Sequence, residues 1–199
     1  MRTVEFWYEF ASTYSYVTAM RIARLAAAEG VPVRWRPFLL GPIFKELGWN
    51  DSPFNIYPAK GLYMWRDLER VCEDEGLPLC LPPVRFPQNG VKAARLALAG
   101  EREGWTPAFT AAVFQANYAE QRDISDDDTL SAVLTGLGLG VDAPQAFAAA
   151  NAPANKEALF AQVAEAKTRG IFGAPSFTVG DELFWGNDRL EAALAWAKA

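Results

Sequence analysis

The sequence of 199 residues contains no histidine and only two cysteines. Without histidine, the chain cannot form Ser-His or Cys-His nucleophile pairs, His-ligated zinc sites or an imidazole acid–base group. Cys72 and Cys80 do not form a C-x-x-C pair. We therefore expect both to be free thiols of a reducing compartment, with a packing role rather than a chemical one.

Long apolar segments and an excess of positive charge are also missing. No stretch approaches the roughly 18 apolar residues of a membrane span, and Glu5 and Glu9 interrupt the apolar opening. We therefore expect neither a membrane anchor nor a signal peptide, and a cytoplasmic location. The net charge of −5 repels polyanions, which argues against nucleic acid as a partner.

The first part of the chain alternates strand and helix patterns. Hydrophobic residues make up 51% of the sequence, enough for a substantial core. Residues 3–10 are β-branched and aromatic and predict a buried strand, which stops at the small polar turn 11–13. A helical pattern over 14–29 ends at Gly30, and a second strand is predicted over 31–40. This spacing predicts a βαβ unit with parallel strands.

The middle of the chain has no convincing strand pattern. Residues 41–55 are rich in Gly, Pro and Asn. Helices are then predicted over 59–76, 90–103, 107–120, 126–136, 143–150 and 156–169. The acids at 126–128 fit a helix N-terminus better than a metal site, and Asn155 is a second expected N-cap.

Strand patterns return near the end of the chain. Two apolar runs, 174–179 and 182–186, flank Gly180-Asp181 and predict a β-hairpin. A final short helix is predicted over 187–197.

This order predicts how the chain divides. We expect residues 1–40 and 165–199 to fold together, because these segments hold the predicted strands. We expect residues 41–164 to form an inserted, mainly helical domain that lies over the end of the sheet where Ser12 is placed.

Ser12 is the best candidate for chemistry, because it ends the first strand and opens the first helix. Unpaired N–H groups and the helix dipole at that point favour negative charge, so a thiolate there is stabilised. A plain N-cap is the simpler interpretation of a lone serine. Ser15 is a weaker candidate, because its hydroxyl is expected to face the helix backbone.

Three ordered segments resemble a known family. They are FASTYSY at 10–16, GIFGAPSF at 170–177 and FWGNDRL at 184–190. With looser similarity at 58–60 and 86–89, they resemble the 2-hydroxychromene-2-carboxylate isomerases, which belong with the kappa-class glutathione transferases and are related to DsbA-type oxidoreductases. The resemblance implies an α/β, thioredoxin-like fold with a large all-helical insertion.

The resemblance also implies that glutathione is the cofactor and indicates residues that bind it. Ser12 is expected to donate a hydrogen bond to the sulfur. The main chain at Ala174, before a cis-Pro175, is expected to pair with the cysteinyl part. Asn187 and Asp188 are expected to hold the γ-glutamyl end at the start of the last helix.

Further binding residues are implied on the insertion. Lys60 resembles the family's lysine near the substrate and the glycyl carboxylate, and Asn50 resembles a nearby asparagine, with Asn55 as the alternative. Three aromatic residues are candidates for the wall of a slot for an aromatic substrate: Tyr63, Trp65 and Trp185. Four others alternate within strands and are expected in the core: Trp7, Tyr8, Phe10 and Trp35.

The resemblance implies an enzyme that isomerises a small unsaturated intermediate of aromatic degradation, and a homodimer. A kappa-like transferase or peroxidase acting on another electrophile is the alternative, and a non-catalytic thioredoxin-like binding module is a further one. A DsbA-like disulfide exchanger needs two cysteines at the start of the first helix, where this chain has Ser12 and Ser15.

Overall fold

A computed structural model describes residues 1–199 and contains one sheet of four strands. The strands are β1 (Val4–Tyr8), β2 (Val33–Pro37), β3 (Ser176–Val179) and β4 (Glu182–Trp185). Their order in the sheet is β2-β1-β3-β4. β1 pairs in parallel with β2 and antiparallel with β3, which in turn pairs antiparallel with β4. The chain therefore has the α/β, thioredoxin-like arrangement that the sequence predicts.

Ten α-helices accompany the sheet. They are α1 (Thr13–Glu29), α2 (Leu40–Glu46), α3 (Pro53–Ile56), α4 (Pro58–Glu75), α5 (Val91–Ala99), α6 (Thr106–Tyr118), α7 (Asp127–Gly136), α8 (Ala143–Asn151), α9 (Pro153–Thr168) and α10 (Leu190–Lys198). A short 3-10 turn, Asn187–Arg189, leads into α10. None of these helices combines the length and the apolar character that crossing a bilayer requires.

Glycines end two of the predicted elements as expected. Gly30 follows α1 with a φ of 67° and donates its N–H to the carbonyl of Ala27. Gly180 joins β3 to β4 with a φ of 62°. Because side chains disfavour this left-handed backbone, glycine at these positions fixes the end of α1 and the turn of the hairpin.

The two faces of β1 contact different parts of the core. Phe6 and Tyr8 belong to the larger apolar cluster, which extends from the sheet through α1 and α6. Trp7 points to the other face and packs with Phe38 and Ile171 in a smaller cluster. The predicted core positions of Trp7, Tyr8 and Phe10 are confirmed, since all three side chains are buried.

Helix α6 holds the end of β1 in place. The Tyr8 hydroxyl is 2.8 Å from the Thr110 hydroxyl, and Asn117 Nδ2 donates to the carbonyl of Phe10 at 3.1 Å. The Tyr118 hydroxyl donates to the carbonyl of Ala11 at 2.7 Å. These contacts fix the backbone immediately before Ser12, so the helical insertion supports the part of the chain that the sequence singles out for chemistry.

The structure corrects several details of the sequence interpretation. The segment 41–55 contains the two short helices α2 and α3. Asn155 is not an N-cap, because α9 already begins at Pro153 and the Asn155 amide donates to the carbonyls of Arg95 and Ala150. Cys80 is exposed, so packing does not account for it.

The predicted division of the chain stays a prediction. All four strands lie within 4–37 and 176–185. However, α9 crosses the expected boundary between 164 and 165, and the larger apolar cluster includes residues on both sides of it.

The contact of Tyr118 with the turn before Ser12 predicts a stability effect. In Tyr118→Phe the buried carbonyl of Ala11 loses its hydrogen-bond donor, which should lower the free energy of unfolding by about 1 to 3 kcal/mol. Urea unfolding measures this change. Tyr57→Phe is the matched control, because Tyr57 is 49% exposed. Equal stability of both variants would contradict the proposed support of the turn.

Candidate active site

A single large cleft of about 1120 Å³ lies beside the N-terminus of α1. Every residue that the sequence analysis placed in the glutathione site lines it: Ser12, Asn50, Lys60, Ala174, Pro175, Asn187 and Asp188. These residues come from both ends of the chain and from the insertion. The fold thus brings together side chains that the sequence separates widely.

Ser12 occupies the N-cap of α1, as its position in the sequence predicts. Its Oγ accepts a hydrogen bond from the Ser15 N–H at 3.2 Å and donates one to the carbonyl of Ala174 at 2.9 Å. Ser12 also lines the cleft, whereas Ser15 is buried, does not line the cleft, and its hydroxyl has no hydrogen-bond partner. The hydroxyl of Ser12 is therefore the one that a ligand in the cleft can reach.

The loop opposite Ser12 contains the Ala174–Pro175 bond, which is cis. The carbonyl of Pro175 accepts a hydrogen bond from the N–H of Gly186 at 2.9 Å. This bond attaches the loop to the end of β4. The two chain segments that form this wall of the cleft are thus held together by main-chain contacts.

Asn187 and Asp188 have different surroundings. Asn187 Oδ1 accepts hydrogen bonds from Thr18 Oγ1 at 3.0 Å and from Arg21 Nη1 at 3.1 Å. Arg21 also forms an ion pair with Glu75 at 2.8 Å, so it joins α1, α4 and the turn before α10. Asp188 is exposed and lies 3.3 Å from Arg189. The side-chain oxygen of Asn187 positions the turn, while the carboxylate of Asp188 is available to a ligand.

The insertion forms the opposite wall. Lys60 Nζ lies 5.8 Å from the centre of the Phe54 ring and lines the cleft. Asn50 lines it too, whereas Asn55 does not and donates to Asp51 at 3.1 Å. This arrangement favours Asn50 over Asn55 as the residue that contacts a ligand.

The aromatic candidates divide in the same way. Tyr63 and Trp185 line the cleft, and Trp185 is 53% exposed at its rim, 4.8 Å from the ring of Phe172. Trp65 does not line the cleft and instead packs against the ring of Phe86 at 4.8 Å. An aromatic ligand could therefore stack on Trp185 but not on Trp65.

Two features of the cleft were missed by the sequence analysis. The first is a hydrogen bond from the Tyr14 hydroxyl to Asp67 Oδ2 at 2.7 Å, with both residues in the cleft wall. Burial and the neighbouring Asp67 raise the pKa of Tyr14. The two residues lie on different helices, so no local pattern indicates the pair.

The second missed feature is Glu9, at the end of β1. Glu9 Oε2 accepts a hydrogen bond from the N–H of Leu40 at 3.2 Å, and the residue lines the cleft. Burial of the carboxyl raises the pKa of Glu9 to about 7, although the hydrogen bond from Leu40 acts in the opposite direction. An acid within an otherwise apolar strand end was the one available signal.

The comparison with known proteins decides the family. Residues 3–195 match a family model described as a DsbA-like thioredoxin domain. A 2-hydroxychromene-2-carboxylate isomerase of Sphingobium xenophagum is 31% identical over 192 residues, which cover 96% of this chain and 95% of that protein. The chain belongs to this isomerase family.

Two further likenesses agree with the family assignment. A solved structure of a 2-hydroxychromene-2-carboxylate isomerase matches with a TM-score of 0.85 and 27% identity, over 98% of this chain and 94% of that one. The human glutathione S-transferase kappa 1 is 25% identical over 202 residues, covering 96% of this chain and 88% of that protein. The isomerase family and the relationship to the kappa-class glutathione transferases, both indicated by the sequence motifs, are therefore confirmed.

The backbone at Gly186 predicts how strictly this turn is constrained. Gly186 has φ 109° and ψ 150°, and an added Cβ would lie 2.5 Å from Asp188 Oδ1. Gly186→Ala should lower the free energy of unfolding by about 2 to 3 kcal/mol, because this backbone region is almost restricted to glycine.

Gly180→Ala is the matched control for that variant. Gly180 also has a positive φ, of 62°, but an added Cβ there would meet no atom within 4 Å. Gly180→Ala should lower the free energy of unfolding by about 1 to 2 kcal/mol. Urea unfolding of both variants gives the comparison, and an equal loss would contradict the constraint at Gly186.

Proposed function

We propose that this protein is a glutathione-dependent isomerase of the 2-hydroxychromene-2-carboxylate type, which acts on a small unsaturated intermediate of aromatic degradation. The observation that carries the proposal is the position of the Ser12 hydroxyl. It lies at the N-terminus of α1, within 2.9 Å of the carbonyl of Ala174 and in the wall of a large cleft.

The chemistry of the cleft fits glutathione, which has an ammonium group, two carboxylates, peptide bonds and a thiol. Two carboxylates that could bind an ammonium group line the cleft: Asp67 accepts the Tyr14 hydroxyl at 2.7 Å, and Asp188 also raises the pKa of Tyr14. Lys45 and Lys60 also line the cleft and supply positive charge for carboxylates.

The size of the cleft also fits the proposal. Its volume of about 1120 Å³ is slightly above the range of roughly 300 to 1,000 Å³ that is usual for sites holding one small ligand. A tripeptide and a substrate can therefore occupy it together.

Bound glutathione would supply a thiolate that can add to an unsaturated carbon of the substrate, permit rotation about the former double bond, and then leave. The protein's contribution is to stabilise the thiolate and to orient the substrate. Unpaired N–H groups at the start of α1 and the hydroxyl of Ser12 lower the pKa of a nearby thiol from its usual value of about 8.5.

The single proton of the Ser12 hydroxyl determines how this residue acts. In the present structure that proton is donated to the carbonyl of Ala174. A peptide N–H of a bound ligand that pairs with this carbonyl replaces the serine as donor, and the hydroxyl then turns to the sulfur. Binding of the tripeptide and activation of its thiol are thereby linked.

A kappa-like transferase or peroxidase that uses the same cleft is the second candidate. It is favoured by the match to the human kappa enzyme over 96% of this chain. Turnover of a chlorinated aromatic or a hydroperoxide, without turnover of hydroxychromene carboxylates, would decide for it. The cytoplasmic location expected from the sequence and the homodimer that the resemblance implies stay predictions, and sedimentation velocity measures the oligomeric state.

Ser12→Ala should reduce turnover more than glutathione affinity. The hydrogen bond from Ser12 to the sulfur strengthens or weakens as the charge on sulfur changes during the reaction. Loss of this bond should raise the activation free energy by roughly 1.5 to 3 kcal/mol, which lowers the rate about ten- to two-hundredfold. Loss of the N-cap should also cost about 1 kcal/mol of stability. Steady-state kinetics and calorimetric titration with glutathione measure the two effects.

Ser131→Ala serves as the control for Ser12→Ala. Ser131 lies within α7, and its hydroxyl makes no hydrogen bond in the structure. Unchanged turnover in Ser12→Ala would contradict the role assigned to its hydroxyl, even with glutathione bound.

Asp188→Ala should have the opposite effect on the two quantities. Removal of the exposed carboxylate should weaken glutathione affinity about ten- to a hundredfold, because a charge-assisted hydrogen bond to the ammonium group is lost. The rate at saturating glutathione should change little. Asp181→Ala, in the exposed hairpin turn, is the control. A reduced saturated rate with unchanged affinity would contradict this assignment.

A further inference from the structure

Glu9 shares a turn with Ser12 and lies in the same cleft. The N–H of Ser12 donates a hydrogen bond to the main-chain carbonyl of Glu9 at 3.0 Å, which fixes the backbone positions of the two residues relative to each other. The Glu9 carboxyl accepts the N–H of Leu40 at 3.2 Å through Oε2. No other hydrogen bond to this carboxyl is present, and no ion pair reaches it. One carboxyl oxygen is therefore left for a ligand in the cleft.

The surroundings of the carboxyl favour its neutral form. The titratable group that faces Glu9 from α6 is the phenol of Tyr118, whose pKa is raised by burial and also by Glu9. From α2, the N–H of Leu40 donates a hydrogen bond to the Glu9 carboxyl. The other charged side chains of the cleft wall form no hydrogen bond or ion pair with Glu9: Lys45, Asp51, Lys60, Asp67, Asp188 and Arg189.

This balance leaves both forms of the group available. Burial raises the pKa of Glu9 to about 7, so acid and carboxylate are populated together at neutral pH. Such a group suits proton transfer, because a general acid or base works best with a pKa near the working pH. The chain has no histidine to take this part, and burial moves the pKa of Tyr14 further from neutrality.

We propose that Glu9 is the proton-transfer residue of this site, which donates a proton to the carbonyl oxygen of an α,β-unsaturated substrate and then takes it back. This inference rests on the proposed function, because it needs a thiolate to attack the substrate. It adds to that function the residue that neutralises charge on the substrate oxygen.

The proton and electron balance closes without a further reactant. While a carbon–sulfur bond forms at the unsaturated carbon, the pair of the carbon–carbon double bond forms a new double bond to the carbonyl carbon. The carbonyl π pair moves to the oxygen, and the Glu9 acid donates its proton there. After rotation, the Glu9 carboxylate removes that proton. The carbonyl and the carbon–carbon double bond form again, and the carbon–sulfur bond breaks with the electron pair returning to sulfur.

Glu9→Gln separates this role from a structural one. The glutamine keeps an oxygen that can accept the N–H of Leu40, but it cannot titrate. We expect kcat to fall about a hundredfold, as is usual for loss of a general acid or base, and glutathione affinity to stay within about twofold. The ionisation of Glu9 should also disappear from the pH profile of kcat. Glu157→Gln, on the exposed face of α9, is the control and should retain full activity.

A measurement without substrate or glutathione tests the same group. In wild-type protein labelled with carbon-13, the Glu9 carboxyl resonance should titrate near pH 7 rather than near its usual 4.5. The folded state then binds the proton more tightly than the unfolded state. Relative to Glu9→Gln, the wild type should therefore lose stability as the pH rises from about 4.5 to about 7.

The outcomes distinguish failure of this inference from failure of the proposed function. Wild-type turnover with glutathione, together with a Glu9→Gln variant of equal rate and equal pH profile, would overturn the inference alone. A Glu9 carboxyl resonance that titrates near the usual pKa of 4.5 would also overturn the inference. The titration is measured on the wild type, so it decides the question even if Glu9→Gln does not fold. A wild type that binds no glutathione would overturn the proposed function and, with it, this inference.

Discussion

The hydrogen bond from Ser12 to the carbonyl of Ala174 connects residues 162 positions apart and joins two walls of the cleft. Its donor is fixed because α1 begins directly after a strand end that α6 holds through Asn117 and Tyr118. Its acceptor is fixed because the pairing of β1 with β3 and the bond from Gly186 to Pro175 hold the loop. Both ends of the chain must therefore fold before the site exists, and the insertion must pack against them.

Because the chain has no histidine, the proposed site assigns thiolate stabilisation and proton transfer to different groups. A helix N-terminus and a hydroxyl can stabilise a thiolate, but neither exchanges a proton at neutral pH. A carboxyl can supply that ability when desolvation raises its pKa, which is the role proposed for the half-buried Glu9. Neither cysteine is placed to supply a thiol, because Cys72 is buried and Cys80 does not line the cleft. In the proposed function, bound glutathione supplies the thiol instead.

Local patterns predicted those parts of the structure that local chemistry decides. The strand over 4–8, the helix ended by Gly30 and the hairpin at Gly180 follow from side-chain type and backbone freedom. Ser12 and the motif at 184–190 could be identified because whole segments resemble a family. The Asp cluster at 126–128 was also predicted correctly, since Asp126 caps α7 by accepting the N–H of Thr129.

Properties that arise from packing could not be predicted in this way. The raised pKa of Glu9 depends on protein that surrounds its carboxyl, and the pairing of Tyr14 with Asp67 joins two helices. The bonds of Asn187 to Thr18 and Arg21 likewise appear only when α1 and the final turn are placed side by side. For Asn155, the sequence suggested a cap, but the tertiary contact with the carbonyl of Arg95 decided its position.

The most direct test of the account is an ultraviolet titration of the thiol of glutathione bound to the wild-type protein. The account predicts that thiolate absorbance persists to a pH well below the free thiol's pKa of about 8.5, because Ser12 and the start of α1 stabilise the charge. A bound thiol that titrates at the free value would contradict it.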